Sequence, residues 1–295
     1  MGGTATDAPW ARVTARRARR HDLRSEQRQR RTQPPAPGSV RLTVVVPAYG
    51  EGVRIADTVA RLRTELATVA ENGGLEIVVV DDGSSDDTAE RARAAGADQV
   101  LVLPQNRGKG RAVRTGALAA RGRTVAFTDA DLSYAPEHLL HLLEEVEAGW
   151  DVVVGSRRHI QATTLVRARR LRTLTGRVFN LLTMAVLLGR YRDTQCGLKA
   201  FRSDAAKLLF SRARIDGFAF DVELFHLVER YRLTLLEVPV SLANSPTSTV
   251  HVGVDALRML RDLFRIRRWT GRGLYGGGPP SADPDAPAAA ASPGP

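Results

Sequence analysis

The chain has 295 residues, of which 43% are hydrophobic, so it can bury the core of one large α/β domain or of two small ones. Its single cysteine, Cys196, excludes an intramolecular disulfide and fits a reducing compartment. No apolar segment reaches the roughly 18–20 residues that a membrane-spanning helix needs, and the N-terminus lacks the apolar core of a signal peptide. We therefore expect a cytoplasmic protein that is soluble or peripheral to a membrane.

The net charge of +11 comes largely from the N-terminal region. Residues 11–31 contain nine arginines and two acidic residues. We interpret residues 1–40 as a disordered arm suited to an anionic surface, either nucleic acid or anionic lipid. A composition rich in Gly, Pro and Ala predicts a second disordered segment over residues 271–295, which leaves a folded unit over residues 41–270.

Predicted strands and helices alternate in the first part of this unit. Short apolar runs rich in β-branched residues predict strands over residues 41–49, 75–83, 97–104, 124–131 and 151–157. Apolar residues at helical spacing predict helices over residues 54–70, 86–96, 108–122 and 136–149. This alternation is typical of a doubly wound α/β fold, in which a mostly parallel sheet carries helices on both faces.

Polar clusters follow four of the predicted strands, after Val46, Val80, Phe127 and Val154. Sheets of this class bind ligands beyond the C-terminal ends of their strands. We therefore expect the four clusters to meet at one edge of the sheet and to form a ligand site there.

The first two clusters offer contacts for a nucleoside. Pro47, Tyr49 and Glu51 follow the first strand, where the tyrosine can stack on a base and the glutamate can accept hydrogen bonds from a base or ribose. An ordinary β–α turn explains these residues equally well. Asp81 and Asp82 follow the second strand, where a carboxylate can accept the imide N–H of uracil or a ribose hydroxyl.

A further segment, "NRGKGRAV", follows the third predicted strand and places Lys109 and Arg111 in a Gly-rich loop that enters a helix. Backbone amides and cationic side chains at such a point suit a diphosphate, although a basic surface loop is the alternative interpretation. No β–α turn carries the glycine patterns of dinucleotide-binding oxidoreductases or P-loop NTPases, which argues against both classes.

The cluster after Phe127, "TDADLS", places Asp129 and Asp131 two residues apart at a strand end. Both carboxylates can lean toward one hard cation, Mg²⁺ or Mn²⁺, and leave coordination positions for phosphate oxygens. Such a cation would stabilise a departing diphosphate. The alternative is a solvated strand end.

The motifs "PAYGE", "VVDDGSSDDT", "NRGKGRAV", "TDADLS" and "VVVGSR" occur in an order and spacing that resembles the family 2 glycosyltransferases. The resemblance covers roughly residues 41–268. It implies a GT-A fold, which is Rossmann-like and has a mixed, mostly parallel sheet. The later motifs, "RDTQCGLKAFR" and "RIDGFAFDVEL", resemble the subgroup that transfers glucose or mannose to dolichyl or other polyprenyl phosphates, with the dolichyl-phosphate β-glucosyltransferases nearest.

This resemblance implies a role for each candidate residue. The nucleotide-sugar contacts would be Pro47, Tyr49, Glu51, Asp81 or Asp82, Lys109 and Asp129. The metal ligands would be Asp129 and Asp131, and the catalytic group would be Asp129, Asp131, Arg157 and Asp221. The nucleotide half would span residues 41–157 and the acceptor half residues 158–270. The sequence departs from the family pattern at two positions. Gly50 stands where Asn is common, and Ser133 stands where mannosyl-transferring relatives often have Gln. The second departure favours glucose as the transferred sugar.

A polyprenyl phosphate has a second pKa of about 6, so at neutral pH it is largely a dianion and needs no general base. The enzyme then needs cations to bring two anions together. We predict acceptor-phosphate contacts from Arg157, Arg172, Lys199 and Arg202, without fixing which arginine of residues 157–177 serves. Asp221 and Glu223 lie near the position of the base in other family members. In this subgroup they would orient the sugar or a cation. For Glu223 the alternative is that its charge only interacts favourably with the dipole at a helix N-terminus.

Two stretches at helical spacing, residues 178–189 and 254–269, either pack in the core or lie on a membrane surface. Together with the arm, the second would hold the protein on the anionic inner face of the cell membrane.

The expected partners are a nucleotide sugar, with UDP-glucose favoured, a polyprenyl phosphate and an anionic membrane surface. The alternatives are mannosyl transfer from GDP-mannose and a soluble transferase that acts on a hydroxyl and requires a carboxylate base. A nucleic-acid-binding protein is disfavoured, because the arm lacks interleaved aromatic residues.

Overall fold

A computed structural model describes residues 40–157, 193, 195–242 and 252–276, without the side chains of 252–258. Nearly all of the predicted arm lies outside these residues. So do Arg172, the apolar stretch 178–189 and residues 277–295.

The described strands form one sheet in the order β3-β2-β1-β4-β6-β5-β7. In chain order the strands are β1 Leu42–Ala48, β2 Leu75–Asp81, β3 Gln99–Val102, β4 Thr124–Phe127, β5 Val152–Ser156, β6 Lys199–Arg202 and β7 Leu235–Pro239. The described helices are α1 Ile55–Glu65, α2 Ala67–Glu71, α3 Thr88–Ala94, α4 Lys109–Ala119, α5 Glu137–Glu147, α6 Ser203–Arg212, α7 Phe220–Arg230 and α8 Val252–Gly271. Among these helices, none is long and apolar enough to cross a bilayer.

The strands β1 to β4 are parallel, with β1 between β2 and β4. Their β-branched side chains are buried on both faces, as the continuous apolar runs in the sequence predict. One apolar layer includes side chains of α4, α6, α7 and α8, and the other includes side chains of α1, α2, α3 and α5. The predicted α/β class with helices on both faces is therefore confirmed.

Strand β6 runs antiparallel to both of its neighbours, β4 and β5. Its first residue, Lys199, pairs with Phe127 at the end of β4, whereas its last residue, Arg202, pairs with Thr124 at the start of β4. The two cations therefore lie at opposite edges of the sheet. Because β5 runs in the same direction as β4, Arg157 follows β5 at the same edge as the end of β4.

The chain stays packed beyond the predicted boundary at residue 270. Tyr275 is fully buried, and its hydroxyl donates a 2.6 Å hydrogen bond to Glu223 Oε1. The tyrosine ring also contacts Trp269 edge-on, with ring centroids 6.4 Å apart. The prediction that the residues from Gly271 onward do not pack is wrong at Tyr275, which is buried although the residues on either side of it are exposed.

Candidate active site

The loops after β1 and β2 are tied to each other at the C-terminal edge of the sheet. The backbone N–H of Gly50 donates to Ser84 Oγ at 2.9 Å, and the N–H of Glu51 donates to Thr88 Oγ1 at 2.9 Å. Tyr49 lies in the first loop with 56% of its surface exposed, which leaves its ring available for stacking. The polar clusters after these two strands thus meet, as the sequence predicts.

Asp81 and Asp82 have different neighbours. Both oxygens of Asp82 accept backbone N–H groups of the Gly-rich loop, from Arg107 at 2.9 Å and from Gly108 at 2.7 Å. Burial raises the pKa of Asp82, and these two hydrogen bonds oppose the shift. Asp81 instead accepts from the backbone and hydroxyl of Ser84, at 2.9 and 2.5 Å, through one oxygen. Asp82 therefore shapes the Gly-rich loop, and Asp81 shapes its own turn.

The Gly-rich loop brings Lys109 to the first turn of α4. Gly108 has a φ of 110°, and a Cβ on it would lie 2.8 Å from the carbonyl oxygen of Asp216, so only glycine fits. Arg111, the other predicted cation of this loop, is only 5% exposed. Lys109 is therefore the cation of the loop that faces the predicted metal position.

Asp129 and Asp131 follow β4 in a tight turn. Leu132 has a φ of 44°, a strained value for a leucine, while Ser133 N–H donates to Asp131 Oδ1 at 2.9 Å. Lys109 Nζ forms a close ion pair with Asp129 Oδ1. Burial alone lowers the pKa of an ammonium, but the charges of Asp129 and others nearby hold the pKa of Lys109 above its ordinary value.

Glu51 shares the electrostatic environment of this pair. Burial raises the pKa of Glu51, the nearby charge of Arg54 opposes the shift, and Asp131 and Asp129 add to it. The acidic groups after β1 and β4 therefore act on each other, which is the convergence that the sequence predicts.

The carboxylates at this edge suit a hard divalent cation whose coordination shell is completed by a bound ligand or water. Among the residues that the structure describes, no three His, Cys, Asp or Glu side chains are arranged to hold a metal on their own. Asp129 and Asp131 offer carboxylate oxygens only, which Mg²⁺ and Mn²⁺ prefer, and leave further positions for phosphate oxygens or water.

Lys199 is not placed to contact an acceptor phosphate, contrary to the prediction. Its side chain is 1% exposed, and its ammonium donates to Asp221 Oδ1 at 2.7 Å and to the carbonyl oxygen of Cys196 at 2.6 Å. Burial raises the pKa of Asp221, while Lys199 and Lys109 oppose the shift. The burial of both partners makes this an internal ion pair beneath the site.

Gly197 lies between that ion pair and the metal position. A Cβ at Gly197 would overlap Asp129 Oδ2, so the backbone at this point packs directly against the carboxylate. Because Lys199 holds the neighbouring carbonyl of Cys196, the internal ion pair helps to position Asp129. The motif "QCGLK" gave no signal for this role apart from its glycine.

Arg157 lies at the predicted edge and makes a fork-like pair with Asp193. Arg157 Nε donates to Asp193 Oδ2 at 2.7 Å, and a terminal nitrogen donates to Oδ1 at 2.9 Å. Asp193 is 5% exposed, so burial would raise its pKa, but the hydrogen bonds from Arg157 hold the pKa below its ordinary value. Asp193 was not among the predicted site residues, although it stands in the "RDTQCGLKAFR" motif.

Two buried polar atoms lie close to this pair in sequence. Within the part of the chain that the structure describes, the hydroxyl of Ser156 and the amide nitrogen of Gln195 have no hydrogen-bond partner. Unpaired buried polar atoms are rare, so both side chains have capacity for a ligand. Neither residue was predicted from the sequence.

Arg202 lies away from the other predicted site residues, because β6 is antiparallel and carries its last residue to the opposite edge. It pairs with the start of β4, and its guanidinium donates to both oxygens of Asp204 at 2.5 Å. The structure therefore does not bring Arg202 together with Arg157 as a predicted acceptor-phosphate contact.

Glu223 is held by internal partners. It is fully buried, and Oε2 accepts the backbone N–H groups of Arg214 and Ile215 at 2.9 and 2.8 Å. Tyr275 donates to its other oxygen. The carboxylate therefore links the loop before α7 to Tyr275, near the last of the described residues.

Comparisons with known proteins agree with this arrangement. The family model described as "Glycosyl transferase family 2" matches residues 43–210. A dolichyl-phosphate beta-glucosyltransferase of Drosophila melanogaster is 35% identical over 243 residues, which cover 77% of this chain and 74% of that protein. A Homo sapiens protein of the same name is 32% identical over 246 residues, again 77% and 74% of the two chains.

A solved structure shows the same fold. Glucosyl-3-phosphoglycerate synthase from Mycobacterium tuberculosis, in complex with Mn²⁺, UDP and glucosyl-3-phosphoglycerate, superposes with a TM-score of 0.60 at 24% identity. The match covers 78% of this chain and 81% of that chain. The predicted GT-A fold is therefore confirmed.

Proposed function

Because the chain belongs to glycosyl transferase family 2, we propose that it transfers a hexose, with glucose favoured, from a nucleotide sugar to a dolichyl or other polyprenyl phosphate. UDP-glucose is the favoured donor, since the relatives are named as glucosyltransferases and the structural neighbour holds UDP. The product is the β-linked hexosyl phosphate.

One observation carries the choice of a phosphate acceptor over a hydroxyl acceptor. The two carboxylates nearest the expected position of a base are both engaged, Asp221 by Lys199 and Glu223 by three donors. A hydroxyl must lose a proton to a base, whereas a phosphate dianion attacks without one. The engaged carboxylates therefore favour polyprenyl phosphate.

The reaction then needs positioning and charge compensation. A phosphate oxygen of the acceptor attacks the anomeric carbon, and the bond from that carbon to the donor diphosphate breaks with its electron pair leaving on the diphosphate. No proton moves, and a single displacement inverts the anomeric configuration. Asp129 and Asp131 would hold Mg²⁺ or Mn²⁺, which neutralises the leaving diphosphate when bound.

The other residues at the edge divide between donor and acceptor. Tyr49 stacks on the base, Pro47 and Glu51 line the same pocket, and Asp81 is favoured over Asp82 as the nucleotide contact because Asp82 holds the Gly-rich loop. Arg157, oriented by its pair with Asp193, faces the acceptor phosphate. Arg172 stays a candidate for the same role. Apart from Arg157, residues 41–157 would serve the donor and residues 158–270 the acceptor.

We place the membrane contact on the outer face of α8. Leu263 and Ile266 on its inner face are buried, but Phe264 is 72% exposed. The exposed arginines around it are Arg261, Arg265, Arg267, Arg268 and Arg272. One exposed aromatic ring among arginines suits an anionic lipid surface. The two alternatives for this stretch, core packing and membrane contact, therefore apply to opposite faces of one helix.

The position of α8 brings this face near the Gly-rich loop. A cavity of about 340 Å³ is lined by Arg107 and Gly108 of the loop and by Met259, Arg261 and Arg265 of α8. Docking through α8 would hold the active site next to a lipid-borne acceptor. We accordingly propose a peripheral protein at the anionic inner face of the cell membrane, with residues 1–40 as a second basic contact.

The decisive experiment offers the purified protein a panel of UDP- and GDP-sugars with Mn²⁺ or Mg²⁺ and a short polyprenyl phosphate. Formation of a lipid-linked hexose from UDP-glucose supports the proposal, and formation from GDP-mannose supports the mannosyl alternative. Transfer to free sugars or metabolites, with no lipid product, would overturn it. Removal of residues 1–40 should leave turnover on the short polyprenyl phosphate intact. If the protein instead binds nucleic acid through its basic arm, the same removal should abolish that binding.

The membrane contact is tested by sedimentation with vesicles of phosphatidylcholine, alone or mixed with phosphatidylglycerol. We expect binding only to the mixed vesicles, and weaker binding for Phe264→Ser. The matched control is Leu118→Ser on α4, since Leu118 is also an exposed apolar residue, at 46%. Equal loss in both variants would contradict the assignment to α8.

A further inference from the structure

Lys109 occupies one oxygen of the aspartate that would bind the metal. Its ammonium contacts Asp129 Oδ1, and the charges of Asp129, Asp221 and Asp131 all stabilise the ammonium there. The other oxygen, Oδ2, is packed against the backbone of Gly197. The oxygen Oδ1 is therefore available to a metal only if Lys109 moves.

Within the described residues, the ion pair that Asp129 forms is with Lys109. Lys199 is fixed to Asp221 and Cys196, and its side chain is buried. Asp131 and Glu51 add further negative charge to the same environment. Removal of the Lys109 charge would leave Asp129 uncompensated among these acids, and a carboxylate in that state attracts a divalent cation more strongly.

We infer that Lys109 is an exchangeable counter-ion of the metal site. It holds Asp129 in the nucleotide-free enzyme, and the donor diphosphate draws its ammonium away so that the metal can bind. The inference rests on the proposed function, in which a nucleotide diphosphate binds at this edge.

The exchange makes metal binding and nucleotide binding depend on each other. Without nucleotide, Lys109 and the metal compete for Asp129 Oδ1. With nucleotide, the added negative charge of the diphosphate accommodates both cations. Because coupling between two ligands is reciprocal, the metal must strengthen nucleotide binding by the same factor as the nucleotide strengthens metal binding. The site would thereby avoid holding a metal when no donor is present.

The test is the affinity for Mn²⁺, measured by electron paramagnetic resonance with and without UDP. For the unchanged protein we expect UDP to tighten Mn²⁺ binding about tenfold, within the usual range of such coupling. In Lys109→Met, Mn²⁺ binding without UDP should become about tenfold tighter, and the coupling should fall below about threefold. A purely structural role for Lys109 would weaken metal binding instead.

Two controls accompany the test. Lys109→Arg keeps the charge and should keep most of the coupling, while Lys207→Met makes the same substitution at an exposed lysine on α6 and should change neither affinity. The inference is overturned if Lys109→Met binds Mn²⁺ no more tightly than the unchanged protein without UDP. It is also overturned if UDP binds to the unchanged protein without changing its affinity for Mn²⁺, a result that requires no variant to fold.

Failure of the proposed function can be distinguished from failure of the counter-ion inference. If neither UDP nor GDP binds in the presence of Mn²⁺, the donor assignment is wrong, but the nucleotide-free comparison of Lys109→Met with the unchanged protein still tests the competition. If UDP binds and that comparison shows no difference, the counter-ion role is wrong and the transferase remains.

Discussion

Two regions of the molecule carry closely spaced charged residues. The first region comprises the loops after β1 and β4, and the second is the segment from β6 to α7. The charges of the two regions differ in what they face. Tyr49 is exposed and Asp129 is partly exposed at the sheet edge, whereas Lys199, Asp221 and Glu223 are buried. Charges that face a ligand need an open side, and buried charges need a fixed partner. In the proposed enzyme, the first region would therefore carry the chemistry and the second would hold it in position.

The largest effect should come from the first region. Asp129→Asn keeps the shape of the side chain but removes one metal-binding charge, so we expect activity to fall about a thousandfold, or about 4 kcal/mol of transition-state stabilisation. The urea unfolding midpoint should change little, since Asp129 is partly exposed. Turnover with UDP-glucose measures the first quantity. Unchanged activity, or a collapse of stability, would contradict the division between the two regions.

The second region should respond in the opposite way. Lys199→Met leaves Asp221 buried without its cation, a change that usually costs about 3 kcal/mol or more of folding free energy. Urea unfolding measures this loss, and Lys207→Met, at an exposed lysine, is the matched control. In the double variant Lys199→Met/Asp221→Asn, much of the stability should return, because no buried charge then lacks a partner. A stable Lys199→Met protein that has lost only acceptor binding would restore the original prediction for Lys199.

Gly197 tests the contact between the two regions. Gly197→Ala places a methyl group where Asp129 Oδ2 lies, so the carboxylate must turn aside. We expect metal affinity to fall about tenfold, about 1.4 kcal/mol, with a smaller change in unfolding free energy. Gly271→Ala is the control, because a Cβ there meets nothing within 4 Å. Equal metal affinity in the two variants would show that Asp129 is not held by this contact.

The same division explains what the sequence could predict. Runs such as "TVVVPAY" and "EIVVVDD" specify buried parallel strands, and parallel strands must bring their polar ends to one edge, so Tyr49, Asp81 and Asp129 were placed correctly. The direction of β6 depends on tertiary pairing that no local pattern encodes. For that reason Lys199 and Arg202, three residues apart in one motif, could not be assigned to a buried pair and to the far edge.

The sequence also does not predict the burial of a single side chain that packs through distant contacts. Tyr275 stands among glycines, and nothing in its neighbourhood announces that it packs against Glu223. Asp193 lacks any spacing signal, because its partner Arg157 follows the end of β5, 36 residues earlier in the chain. Side chains whose role depends on such distant contacts are the ones that sequence patterns miss.

The smallest effect tests the pair at the border of the two regions, Arg157 and Asp193. Because Arg157 holds the pKa of Asp193 below its ordinary value of 3.8, the pair stabilises the fold above that value, and the contribution is lost as the pH falls through the lowered pKa. The side chain of Arg157 is 42% exposed, so solvent screens the pair and we expect about 1 kcal/mol or less. Urea unfolding of Arg157→Met should therefore show a deficit at pH 7 that shrinks below about pH 4.

Arg91→Met serves as the control for this pH dependence, since Arg91 pairs with Asp87 on the surface and should give no resolved deficit at either pH. Activity separates the two possible roles of Arg157. If the arginine only positions Asp193, Arg157→Lys should restore stability and turnover together. If it also contacts the acceptor phosphate, as proposed, the lysine should restore stability but leave the KM for polyprenyl phosphate raised, because a single ammonium cannot reproduce the fork toward Asp193 and still reach a phosphate. A lysine variant with a normal KM would move Arg157 from the acceptor site into the supporting region.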